Sequence, residues 1–139
     1  MKHFTMNELS RTSTGLDNTP NVEIIDNLTA LVDNVLDPLR ELIGMPIHVS
    51  SGYRSAAVNK AVKGAANSQH TKGEAADISC KNNGLLFRLI RDNFTFDQLI
   101  WEFGDDNYPA WVHVSYSKKN RKQVLRAIKV KSKTKYVQL

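Results

Sequence analysis

This sequence is poor in several things, and each shortage closes a door. It has one cysteine, Cys80, so no intramolecular disulfide can form and the fold must hold in any redox compartment. No apolar run approaches the roughly 20 residues that cross a bilayer. The opening "MKHFTMNELS" lacks the apolar stretch of a secretory signal. The expectation is therefore no membrane span, no signal peptide and synthesis in the cytoplasm, with any work outside it depending on another route of release. There is no internal repeat, low-complexity tract or evident linker. Acids are missing from one end: between Lys118 and Leu139 there are nine basic residues and no Asp or Glu, while the remaining 117 residues carry 10 basic against 14 acidic side chains. The net charge of +5 is thus a local feature of the C-terminus. Lysines of this kind guard strand edges, or attract an anionic polymer. Only Tyr116 and Tyr136 flank the run, too little for a base-stacking platform, so nucleic acid is not expected.

What is present suits one domain spanning 1–139, long enough to bury roughly two thirds of its unfolded surface, and a monomer is expected. Apolar residues at Ile24/Ile25, Leu28, Leu31/Val32, Val35/Leu36, Leu39 and Leu42/Ile43 predict an amphipathic helix from about Pro20 to Ile43. Thr19 and Pro20 read as its cap and first turn, Pro38 as a kink and Gly44 as its end. "PIHVSS", "ADISC", "FDQLIWEF", "WVHVSYS" and the region 122–130 read as strands. "SAAVNKAVKG" reads as a short helix stopped by Gly64, and "NGLLFRLIRDN" as a helix capped by Asn82 or Asn83. Helices and strands mix without regular alternation, so the fold class is α+β with a mainly antiparallel sheet and helices packed on one face.

Side chains alternate across a strand. One face of three strands is apolar. The other carries one strong ligand or acid–base group each: Asp77, Glu102 and His113. If the last two of these strands form a hairpin about "GDDNYP" in which paired residue numbers sum to 215, Glu102 lies directly opposite His113.

His70, seven positions before Asp77 in "SQHTKGEAADI", adds a second imidazole from a loop where Gly73 relaxes the backbone. Two histidines and one carboxylate are three ligands for zinc with a fourth position open, the arrangement of catalytic rather than structural sites. Such an ion makes water more acidic and polarises a carbonyl. Hydrolysis also needs a base. Glu102 is the best candidate, and Asp105 and Asp106, in a turn, are poorer ones. Arg54, after the "SSG" turn, suits an oxyanion or a substrate carboxylate. His3 and His48 read as structural, with His48 able to line the cleft. Cys80 reads as core. Trp111 shares the face of His113, as cleft wall or as packing.

The order "SGYRS", "VNKAV", "SQHTKGEAADI", "WVHVS" resembles the zinc D-alanyl-D-alanine carboxypeptidase family of peptidoglycan peptidases from phages and bacteria. That family belongs to a wider group with lysostaphin-type peptidases and the hedgehog signalling domain. "FTMNELSRTSTGLDNTP" and "LDPLRELIGMPI" resemble the N-terminal part of its small single-domain members. The resemblance implies that His70, Asp77 and His113 bind Zn²⁺, that Arg54 holds substrate or oxyanion, and that Ser68 helps shape the site. It implies an α+β metallopeptidase acting on peptide stems of peptidoglycan as carboxypeptidase or endopeptidase, at the cell wall after release or as part of a phage particle. One departure stands out. Many relatives carry the catalytic carboxylate three positions before the last ligand, where this chain has Ala110. That keeps an alternative in view: a zinc-containing wall-binding or virion structural domain without turnover.

Overall fold

A computed structural model describes all 139 residues, Met1–Leu139. Strands β1 (His48–Ser51), β2 (Ala75–Ser79), β3 (Gln98–Glu102), β4 (Trp111–Ser115), β5 (Gln123–Val130) and β6 (Lys133–Gln138) form one sheet in the order β1-β2-β4-β3-β5-β6. Every neighbouring pair is antiparallel except β3 and β5, which run parallel. Helices α1 (Met6–Ser10), α2 (Val22–Leu31), α3 (Asp37–Ile43), α4 (Ala56–Ala61) and α5 (Asn83–Asn93) complete the α+β fold.

The long amphipathic stripe forms as expected, with two local differences. Thr19 does not cap it, because its hydroxyl is spent on Asp17 Oδ1 at 2.7 Å. Asn21 caps instead, its side chain accepting the Ile24 N–H at 2.9 Å. The proline does not break the helix either. Val32–Leu36, between α2 and α3, widens into a π-helical turn in which the Asp37 N–H reaches the Val32 carbonyl. Pro38 has no N–H to give and its ring would strike the carbonyl four residues back, so the wider turn absorbs both faults.

This helical layer buries Leu28, Leu31, Val32, Val35, Leu36 and Leu39 completely. Their partners are Ala76, Ile78, Val112, Val114, Leu99 and Trp101, the apolar face of the three central strands. Phe87 of α5 meets Trp101 edge to face at 5.1 Å between centroids. Each such side chain contributes about 1.5–3 kcal/mol on burial. With helices filling one face, the opposite face of the sheet is left for the polar groups.

Two features escaped the sequence reading. Helix α1 is only five residues long but closed by a reciprocal capping box between Thr5 and Glu8. Strand β6 follows β5 through Lys131 and Ser132, with φ of 51° and 67°, the left-handed pair that a two-residue hairpin turn requires. Neither is the Asn or Gly that signals such a turn. Both lysines of β6, Lys133 and Lys135, are exposed on an edge strand, as the edge-guarding reading of the basic run had it.

Candidate metal centre and its cleft

Asp77 and His113 are paired directly across β2 and β4, so both project from the helix-free face. Ser50 is an extra residue between Val49 and Ser51 of β1, opposite Asp77, a bulge beside the site. His70 arrives from a 3₁₀ turn, Gln69–Lys72. Sequence reading placed it in a loose loop; in fact it is 2% exposed. Its turn is closed at one end by Ser68 Oγ accepting the His70 N–H at 3.2 Å, and at the other by Gly73 at φ 71°.

The three side chains converge, with ligand atoms all within 4.8 Å of one another. Asp77 Oδ1 lies 3.3 Å from His70 Nε2 and 3.2 Å from His113 Nδ1. Ligands about 2.0–2.1 Å from a tetrahedral ion are about 3.3 Å apart, so the spacing is that of three corners around a metal. The hydrogen bonding agrees. His70 Nδ1 is 2.7 Å from the Gly52 carbonyl, which must receive its N–H. A neutral His70 therefore turns the bare lone pair of Nε2 toward a carboxylate oxygen, a contact that a cation resolves. Burial alone would push Asp77 up, but the two imidazoles outweigh it and hold it well below the usual carboxylate range. The residues fit a divalent ion.

Glu102 stands on the same face, but the register differs from expectation. Paired numbers sum to 213: Glu102 faces Trp111, and Ile100 faces His113. The turn is centred on the middle of residues 104–109, one residue earlier than a sum of 215 requires. A shift of two in the sum keeps every side chain on its face, so Glu102 sits diagonal to His113. Only 7% of it is exposed. Burial pushes it up to about 7, against the pull of His113 and with the repulsion of Asp77. Asp105 and Asp106 are occupied elsewhere: Asp105 accepts the Asn107 and Tyr108 N–H groups, and Asp106 pairs with Arg126 at 2.7 Å.

Arg54 lines the same cleft, of about 850 Å³, with Ser68, His70, Asp77, Glu102, Trp111 and His113. Its Nη1 donates to Asn59 Oδ1 at 3.2 Å, and its buried Nε has no partner. A second cavity of about 290 Å³ shares Arg54, Val62 and Asp77 with the first. Elsewhere His48 lines a different pocket, with Glu8 and Lys81, and His3 reaches Glu41 at 3.4 Å. Cys80 packs against the core.

Sequence reading missed the side chains that hold this machinery still. Asn18 is buried between two loops. Its amide donates to the Ser10 and Tyr53 carbonyls, and its oxygen accepts the Ser55 N–H at 2.6 Å. That clamp fixes the segment carrying Arg54, whose own N–H donates to the His70 carbonyl at 2.9 Å. Gly52 lies so close to α1 that a Cβ there would run into the Leu9 carbonyl. Asp97, buried, accepts from Gln69 at 2.8 Å and from three N–H groups of Arg121. It ties the turn of His70 to the start of β3 and to the loop before β5.

A family model described as Peptidase M15 matches residues 2–115, a span that contains every one of the sequence-predicted site residues. No curated protein matches the chain.

Proposed function

This chain belongs to the peptidase M15 family of metallopeptidases, and from that premise we propose that it is a zinc-dependent endopeptidase cutting the peptide stems of bacterial peptidoglycan. The observation that carries the reading is the spacing of 3.2 and 3.3 Å among His70, Asp77 and His113, with a desolvated carboxylate on the same sheet face.

His70, Asp77 and His113 would hold the ion, which when bound supplies Lewis acidity, polarising a carbonyl and making water more acidic. Glu102 takes the proton of the attacking water on its carboxylate and delivers it to the leaving amine nitrogen. Its pKa near 7 suits both halves of that exchange. Ala110 does not stand against this role. The Ala110 N–H donates to the Glu102 carbonyl at 2.9 Å, so the carboxylate comes from the strand that faces position 110 instead of from position 110 itself. Arg54 donates to the developing oxyanion or to a substrate carboxylate. Ser68 acts through the His70 N–H, and Trp111 walls the cleft beside Glu102. A second cavity lined in part by Arg54 and Asp77 would let a substrate chain extend past the ligands, as endopeptidase rather than carboxypeptidase cleavage requires.

The test is metal analysis followed by digestion of purified peptidoglycan with and without chelator, read by mass spectrometry. Internal stem fragments with new amino termini that vanish on chelation are expected. Free D-alanine as the sole product would replace endopeptidase by carboxypeptidase. Stoichiometric zinc without products would favour a wall-binding or virion structural domain.

A further inference from the structure

One wall of the cleft lies outside the segment that the family model matches. That match ends at residue 115, yet β5 and β6 contribute Gln123, Leu125, Lys129, Thr134 and Tyr136 to the cleft lining. The ladder shows how. Trp111 pairs with Glu102, Glu102 with Ala127, and Ala127 with Tyr136, so the four form a row across four strands and project from the same face. Ala127 is completely buried, and the other three members of the row, Trp111, Glu102 and Tyr136, line the cleft.

Tyr136 is 54% exposed and accepts or donates no side-chain hydrogen bond within the fold, so the core does not need it. Burial, with the charges of Glu102 and Asp77, pushes its phenol up, and it remains a hydrogen-bond donor at neutral pH. Lys129, on the same face, pairs with Thr134. Its Nζ is 3.3 Å from Thr134 Oγ1 and 5.3 Å from the centre of the Phe103 ring, with no carboxylate in ion-pair range. The acids lining the cleft, Asp77 and Glu102, belong to the metal centre and the base. Of the lining cations, Arg121 is already taken by Asp97 at 2.9 Å. Lys129 is an unspent cation at the aromatic end, beside Phe103 and Trp111, whose centroids are 5.5 Å apart.

We infer that the β5–β6 hairpin selects the substrate: Tyr136 packs on the bound peptide and donates a hydrogen bond to it, and Lys129 receives one of its carboxylates. The inference rests on the cleft being the peptide site proposed above.

The probes are the synthetic peptide L-Ala-γ-D-Glu-L-Lys-D-Ala-D-Ala and two amides of it, one at the glutamate α-carboxylate and one at the C-terminus. Binding is read by tryptophan fluorescence on zinc-loaded and zinc-free protein, beside steady-state cleavage, zinc content and Tm. Tyr136→Phe should weaken binding about threefold and Tyr136→Ala about tenfold, the loss falling more on KM than on kcat. Lys129→Gln should lose about tenfold against the free acid and nothing further against one of the two amides, with Tm unchanged. Variants that bind all three peptides as the wild type does would overturn the inference. So would an equal loss for all three accompanied by a lower Tm. Binding sensitive to these substitutions without any cleavage would leave the wall standing and remove the peptidase. A wild-type protein that binds none of the peptides would remove both.

Discussion

Glu102 carries two opposed demands in one side chain. In the role of base proposed above it has to lose its proton near neutral pH, and burial resists that. Replacing it by Gln should cost about 10²–10⁴ in kcat while zinc content stays stoichiometric. A second consequence needs no substrate. Its folded pKa of about 7 lies above the ordinary 4.5, so the unfolded chain ionises first. The metal-free wild type should lose up to about 3 kcal/mol of stability as pH rises from 4.5 to 7, by linkage. Urea unfolding in chelator at pH 5 and pH 8 checks this: Glu102→Gln should remove most of the slope. The candidate ligands Asp77 and His113 were legible in the sequence because a strand's alternation fixes which way they point, whereas His70, on its 3₁₀ turn, was legible only by its place seven positions before Asp77. Asn18 and Gly52 were not, since they act through backbone groups of distant loops and no spacing announces that. Gly52→Ala should push α1 away from β1, displace the carbonyl that orients His70, and weaken zinc binding by at least tenfold in a chelator competition.

At the scale of elements, the sheet depends on one acid that does no chemistry. Asp97 is held at about 2 from an ordinary 3.8, chiefly by Arg121, with burial opposing. A depressed carboxylate stabilises above its unfolded pKa and loses that contribution as pH falls through its folded one. The contribution is about 2 kcal/mol at neutral pH, solvent screening at the half-exposed Arg121 keeping it near that figure. Asp97→Asn should lower Tm at pH 7 by several degrees and shrink the loss of stability between pH 4 and pH 2, measured by calorimetry. The same scale shows where reading from sequence stopped. Long periodic stretches such as 22–43 and the alternating strands were visible because burial imposes their period. The hairpin register was out by two, since one residue in the centre of a turn moves the whole ladder. Strand β6 escaped because all its residues are exposed, and an edge strand with no buried side imposes no pattern.

At the scale of the molecule, charge and chemistry are separated. Lys133 and Lys135 alternate with Thr134 and Tyr136 along β6, so they point away from the cleft. Replacing both by Gln should weaken adsorption to intact cell-wall sacculi and flatten its salt dependence. Turnover of a soluble stem peptide should hold within about twofold in a parallel assay. The centre of the sheet has the opposite character. Strand β4 is bonded on both sides, by β2 and β3, and it carries His113 in its middle. Asp77 and His113 of the candidate metal site thus stand on strands hydrogen-bonded on both sides, the kind of backbone that local opening disturbs last. A protein stripped by chelator and recharged should retrace the same titration curve in both directions, without hysteresis or a slow refolding phase, like a socket that keeps its shape when the bulb is out.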